Sequence, residues 1–308
     1  MNMETIITQM SILFTIILLG YIIKKVGIID EEGDKKISVL LLMVTLPALT
    51  MASVMVDEKT LSNQEVGLLF GLAGLMYLFL IGAAFILPKL LAVQEKDVGL
   101  FRFMTIFSNI GFMGFPVVRA IFGNEAVFYA AIFNIPFNLL SFTLGIYLIT
   151  DGKGKGKLDY KFLLHPGIIS SILSVIIYLS NISIPKPVVQ VFTMVGDVTI
   201  PLSMIITGSA LAILPIKEVF SDVRIYIFSL IKLLPLPVIF WWILRWFVVN
   251  QDILGVSTIM VSMPVAAAAS MFATAYDGNK ELASKGIFIS TLMSLGTIPF
   301  IMWLLFIR

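Results

Sequence analysis

Apolar runs, each long enough to cross a bilayer, alternate with short polar connections along the whole chain. The runs fall at 5–24, 37–56, 65–88, 99–121, 125–149, 162–181, 188–213, 222–248, 253–276 and 281–307. A hydrocarbon core of ~30 Å takes ~20 helical residues. The pattern therefore predicts an all-α membrane protein with ten transmembrane helices. None of the connections is long enough for a soluble domain. Mean hydropathy is +1.02, far above that of a soluble domain of this length.

The charged residues orient these spans. Odd-numbered connections hold Lys24, Lys25, Lys35 and Lys36; Lys89, Lys96 and Arg102; Lys153, Lys155, Lys157 and Lys161; Lys217 and Arg224; Lys280 and Lys285. The opposite face holds one basic residue at each place: Lys59, Arg119, Lys186, Arg245 and Arg308. Lys and Arg collect in cytoplasmic loops. Both termini are thus expected outside and the middle loop inside, in a multi-pass protein of the plasma membrane. The first run has no basic stretch before it and no small-residue cleavage site, so it reads as a retained span.

The ten runs divide into a five-helix repeat at 1–150, a cytoplasmic Lys/Gly loop at 151–161 and a second five-helix repeat at 162–308. An odd number of spans per half forces the second half to insert inverted. Internal similarity agrees: Leu46-Pro47-Ala-Leu-Thr-Met51 in span 2 matches Ile200-Pro201-Leu-Ser-Met204 in span 7. Asp97 and Gly99 before span 4 match Asp252 and Gly255 before span 9. Gly123-Asn124 after span 4 matches Gly278-Asn279 after span 9. Inverted repeats mark secondary transporters.

Spans 4 and 9 carry helix breakers near their middles. Span 4 reads Ser108-Asn109-Ile-Gly111-Phe-Met-Gly114-Phe-Pro116, and span 9 has Pro264 within Met263-Pro-Val-Ala. Proline lacks an N–H and clashes with the carbonyl four residues earlier, here Phe112 and Met260. Irregular backbone at membrane depth is tolerated against protein or a water-filled cavity. Matching breaks in two inverted halves are the best sequence pointer to a substrate site. Spans 4 and 9 are therefore expected to be broken crossing helices, with half-helices starting near the prolines.

These residues resemble the auxin efflux carrier family, which includes plant PIN-type carriers and bacterial malate and malonate permeases, within the bile-acid sodium symporter-like group. The match rests on Asn109 to Pro116, Pro201-Leu-Ser-Met with Gly208 and Leu211, Lys232-Leu-Leu-Pro235, and Met263-Pro264-Val-Ala. The resemblance implies scaffold helices 1, 2, 6 and 7, transport helices 3–5 and 8–10, substrate at the 4/9 crossing, and a homodimer. The long cytoplasmic loop of many plant members is missing.

The expected substrate is a small organic anion: a carboxylate such as malate, malonate or an auxin-like acid. The positive end of a half-helix favours an anion. Asn109, Gly111, Gly114, Pro116 and Pro264 are the candidate binding residues at the breaks. Asn134 and Asn138, four apart, share a face of span 5 and join them. Their alternative is interhelical hydrogen bonding, worth about 0.6 kcal/mol. Lys232 and Asp197 lie about ten residues inside spans 8 and 7, and intramembrane charges are usually paired or functional. Two readings stand: the two residues pair with each other, or Lys232 meets the substrate carboxylate or couples ion movement. Arg119 and Arg245, nearer helix ends, are expected to snorkel.

Other functions fit less well. A single histidine, His165, and no cysteine cannot make a typical zinc site. No nucleotide-binding loop, cofactor motif or nucleic-acid surface is present. An intramembrane protease lacks a buried Ser–His pair and has only one deep Asp. Membrane lipid is the other expected partner. Proton coupling, sodium coupling or exchange all stay open. A sodium-coupled symporter of the bile-acid type and a non-transporting channel or sensor on the same fold are the alternatives.

Overall fold

A computed structural model describes residues 3–55, 61–150, 164, 166–180, 184–212, 222–276 and 278–306. The Lys/Gly loop at 151–161 and His165 lie outside these residues. All regular structure among the described residues is helical, apart from one antiparallel bridge. In chain order the helices are α1 (Met3–Lys25), α2 (Glu31–Ala52), α3 (Asn63–Leu90), α4 (Glu95–Ile106), α5 (Ile110–Phe122), α6 (Ala126–Leu140), α7 (Thr143–Ile149), α8 (Pro166–Ser180), α9 (Lys186–Ala212), α10 (Val223–Leu244), α11 (Gln251–Ser262), α12 (Ala268–Ala275) and α13 (Lys280–Phe306).

Among the described residues six helices are long and apolar enough to cross a membrane: α1, α2, α3, α9, α10 and α13. The pair α6 and α7, bent by 46°, makes a seventh if it counts as one span. The remaining expected spans are shorter pieces. The residues expected to form span 4 fold as α4 and α5, those of span 9 as α11 and α12, and those of span 6 as the 15-residue α8. Many large apolar side chains are exposed, among them Leu18, Leu78, Ile86, Val191 and Trp242. Water would penalise such a surface; acyl chains do not.

The chain forms two compact units that cut across its two halves. One contains Met1–Gly71, Gly111–Ile135 and Leu163–Ile213; the other contains Leu72–Ile110, Pro136–Phe162 and Leu214–Arg308. In the first unit, α1 and α9 approach backbone to backbone at two glycines. A Cβ on Gly208 would lie 1.9 Å from the Ile17 carbonyl oxygen, and one on Gly20 would lie 2.2 Å from that of Ile205. Beside this contact Lys24 pairs with Asp34, whose other oxygen accepts from Ser209 Oγ at 2.5 Å. α2 and α9 meet at Gly196, where a Cβ would lie 2.8 Å from the Leu49 Cα. In the second unit, Gly99 seats α4 on the Leu148 carbonyl, 1.9 Å from where a Cβ would be. Phe101 packs edge-on to Phe228, and Phe103 lies against Phe272.

Two prolines are absorbed by widened turns. The carbonyl that Pro47 would strike belongs to Met43, inside a π-helical turn at Leu41–Thr45. The one that Pro116 would strike belongs to Phe112, inside the π-helical turn Ile110–Gly114. A wider turn moves that carbonyl off the ring, which a regular α-turn does not. So α5 does not start at Pro116, as the sequence suggests. It starts at Ile110 and runs on through the proline.

Candidate functional site

The break in span 4 lies ahead of its glycines and proline. α4 ends at Ile106, and Phe107 is extended (φ −98°, ψ 102°). Ser108 and Asn109 follow, residue types whose side chains compete for backbone partners and favour helix ends. On the other side α11 ends at Ser262. Met263 is extended (φ −67°, ψ 144°), as the residue before a proline prefers. The Met260 carbonyl is thus one of those a helix end leaves without an intrahelical partner.

The two extended segments pair with each other. Ser108 and Val265 form an antiparallel bridge. Asn109 N–H donates to the Pro264 carbonyl at 2.8 Å, and Ala266 N–H donates to the Phe107 carbonyl at 3.0 Å. Val265 N–H donates to Ser290 Oγ on α13 at 3.0 Å. Each break therefore satisfies the backbone of the other, as buried backbone groups require.

Lys232 completes this site. It is fully buried on α10. Its ammonium donates to the Thr105 carbonyl and to Ser108 Oγ, each at 3.0 Å. Thr105 is in the last turn of α4, where the dipole is negative and a cation is favoured. No ion pair among the described residues includes Lys232.

Asp197 is not its partner, contrary to one of the two readings from sequence. Asp197 belongs to the other unit and is paired with Arg119 NH2 at 2.6 Å. Counting residues from a helix start gives depth but not the direction in which a side chain faces, and Asp197 faces α5. Arg119 accordingly pairs instead of snorkelling freely, and it also donates to Asn124 Oδ1. Arg245 lies over the rings of Trp241 and Trp246.

The candidates are thus sorted. Asn109, Pro264 and Lys232 come together at the bridge. Asn138 sits one residue after Phe137, whose ring meets Phe107 edge-on at 5.7 Å. Gly111, the second residue of α5, has nothing within 4 Å of the position of a Cβ. Gly111, Gly114, Pro116 and the buried Asn134 belong to the other unit. Thr105, Ser108 and Ser290 were missed from sequence. Ser108 had a signal, its place beside Asn109; a backbone carbonyl and a serine on a distant helix had none. Among the described residues no group of acidic, His or Cys side chains is arranged to hold a metal.

Residues 5–302 match the model of a family described as membrane transport protein. Among curated proteins the chain is similar to an uncharacterized transporter of Methanocaldococcus jannaschii, 26% identical over 306 residues that cover 96% of this chain and 97% of the relative. It is also similar to an uncharacterized transporter of Methanothermobacter thermautotrophicus, 26% identical over 296 residues and covering 95% of each.

Proposed function

Because the chain belongs to the membrane transport protein family, the auxin efflux carrier family, we propose that this membrane transporter is a secondary carrier of small organic anions. It binds a carboxylate where the two interrupted spans cross and works by alternating access. The observation that carries this reading is the Ser108–Val265 bridge, with α5 and α12 both starting within a few residues of it. The first turn of a helix presents a positive dipole end. Two such starts flanking one bridge suit an anion.

Ten spans follow if α4 with α5, α6 with α7, and α11 with α12 each count as one crossing and α8 as a short one. The same family resemblance supports a homodimer in the plasma membrane. Lys232 bears on coupling. Its ammonium already puts a positive charge at the carbonyl end of α4, which disfavours a second cation beside it. That favours a sodium-independent carrier over a sodium symporter.

Asn109→Ala tests the site. A hydrogen bond donated by a side-chain amide to a charged group is worth about 1.5–3 kcal/mol, so anion affinity should fall roughly 10- to 100-fold with thermal stability retained. Affinity within twofold of wild type, in a folded variant, rejects Asn109 as a substrate contact. Saturable uptake of malate, malonate or lactate by proteoliposomes tests the carrier itself; flux at channel rates rejects it.

Orientation has its own test, eased by the absence of cysteine. Cysteines introduced at Asn2 and Arg308 should react with an impermeant maleimide from outside intact cells. One at Gly154 should not. The reverse pattern would overturn the charge argument.

A further inference from the structure

We propose that Arg119 is a second carboxylate subsite, on the basic-poor face, which Asp197 fills with its own side chain in this conformation. The inference rests on the carrier reading above and extends it along α5. Arg119 is the single basic residue of α5, and Asp197 is the single acidic residue of α9. A charge within an apolar span needs a partner or a function. These two meet, and Arg119 is further steadied by Asn124.

The strength of the pair decides between a lock and an exchangeable contact. A permanent lock calls for a buried, bidentate Arg–carboxylate pair. Here the contact is through one nitrogen and one oxygen, and the side chains are 21% and 51% exposed. Pairs of that kind contribute about 0–1 kcal/mol. Another carboxylate can therefore displace Asp197 at little cost, and a planar guanidinium is the group best shaped to receive it.

Uptake of malate, malonate and lactate into proteoliposomes tests the subsite. Arg119→Gln should raise KM tenfold or more with little change in maximal rate, and Arg119→Lys should fall between it and wild type. Asp197→Asn should lower KM severalfold, because the guanidinium then has no carboxylate partner of its own. The double variant should keep the high KM of Arg119→Gln. If instead both single changes impair uptake and thermal stability alike and the double change restores both, the pair is structural and the proposal fails. An unchanged KM in a folded Arg119→Gln carrier also defeats it, while leaving the carrier reading intact. If the wild type moves none of the three acids, the carrier reading itself fails.

Discussion

Lys232→Gln abolishes saturable anion uptake, and neutralising Asp197 in the same chain does not bring it back. The expected loss is roughly 100-fold or more, equivalent to about 2.7 kcal/mol of lost stabilisation. The argument starts from what the ammonium touches. It donates to the Thr105 carbonyl and to Ser108 Oγ, so it holds the end of α4 against the first residue of the bridge. Glutamine supplies donors but no charge, and its shorter side chain cannot span both acceptors. The effect on stability should be smaller. Stranding one buried acceptor costs about 1–3 kcal/mol, but removing a buried charge relieves its desolvation. Transport and folding therefore separate, and measuring uptake beside thermal unfolding reads both. Recovery in Lys232→Gln with Asp197→Asn would show that the two charges balance each other. Their separate partners argue against that.

Lys232 also shows what the sequence could reveal and what it could not. The residue stood out as the one basic group that the inside–outside alternation could not place. Its depth was legible for that reason. Its partners were not, since one is a backbone carbonyl and the other a serine on a different span. The breaks were legible in the same partial way. Gly111, Gly114, Pro116 and Pro264 marked the right spans. In span 9 the break falls where proline predicts, because Pro264 has no N–H to continue α11. In span 4 it falls at Phe107–Asn109, and Pro116 is carried inside α5 by a π-turn. Proline position alone does not reveal that the two breaks must lie level to pair. That requirement is tertiary, and it moved the first break upstream. The Asp197–Arg119 pair was missed likewise: depth can be counted along a helix, but a facing direction depends on how neighbouring helices are rotated.

Gly208→Ala should prevent α1 and α9 from closing on one another and should be among the most damaging single-methyl changes in this chain. The added carbon would lie 1.9 Å from the Ile17 carbonyl oxygen and 2.8 Å from the Tyr21 nitrogen. Both are backbone atoms of a helix, so neither can swing aside as a side-chain end would. Overpacking usually costs about 1–3 kcal/mol and sometimes more. A clash with rigid backbone belongs at or above the top of that range. The gain from replacing a helical glycine with alanine is only about 1 kcal/mol and does not offset it. The damage should also spread, because Ser209 is the next residue and donates to Asp34, the partner of Lys24. Parting the helices therefore weakens the polar cluster as well as the packing. Gly111→Ala is the control. Nothing lies within 4 Å of the corresponding position there, so the same substitution should leave stability unchanged or slightly raised, and any loss of uptake would come from the crossing itself. Folded yield and thermal unfolding of the two variants in detergent make the comparison. A Gly208→Ala protein that unfolds at the wild-type temperature would mean that α1 and α9 do not touch through their backbones, and the close contact at Gly20 and Gly208 would have to be given up.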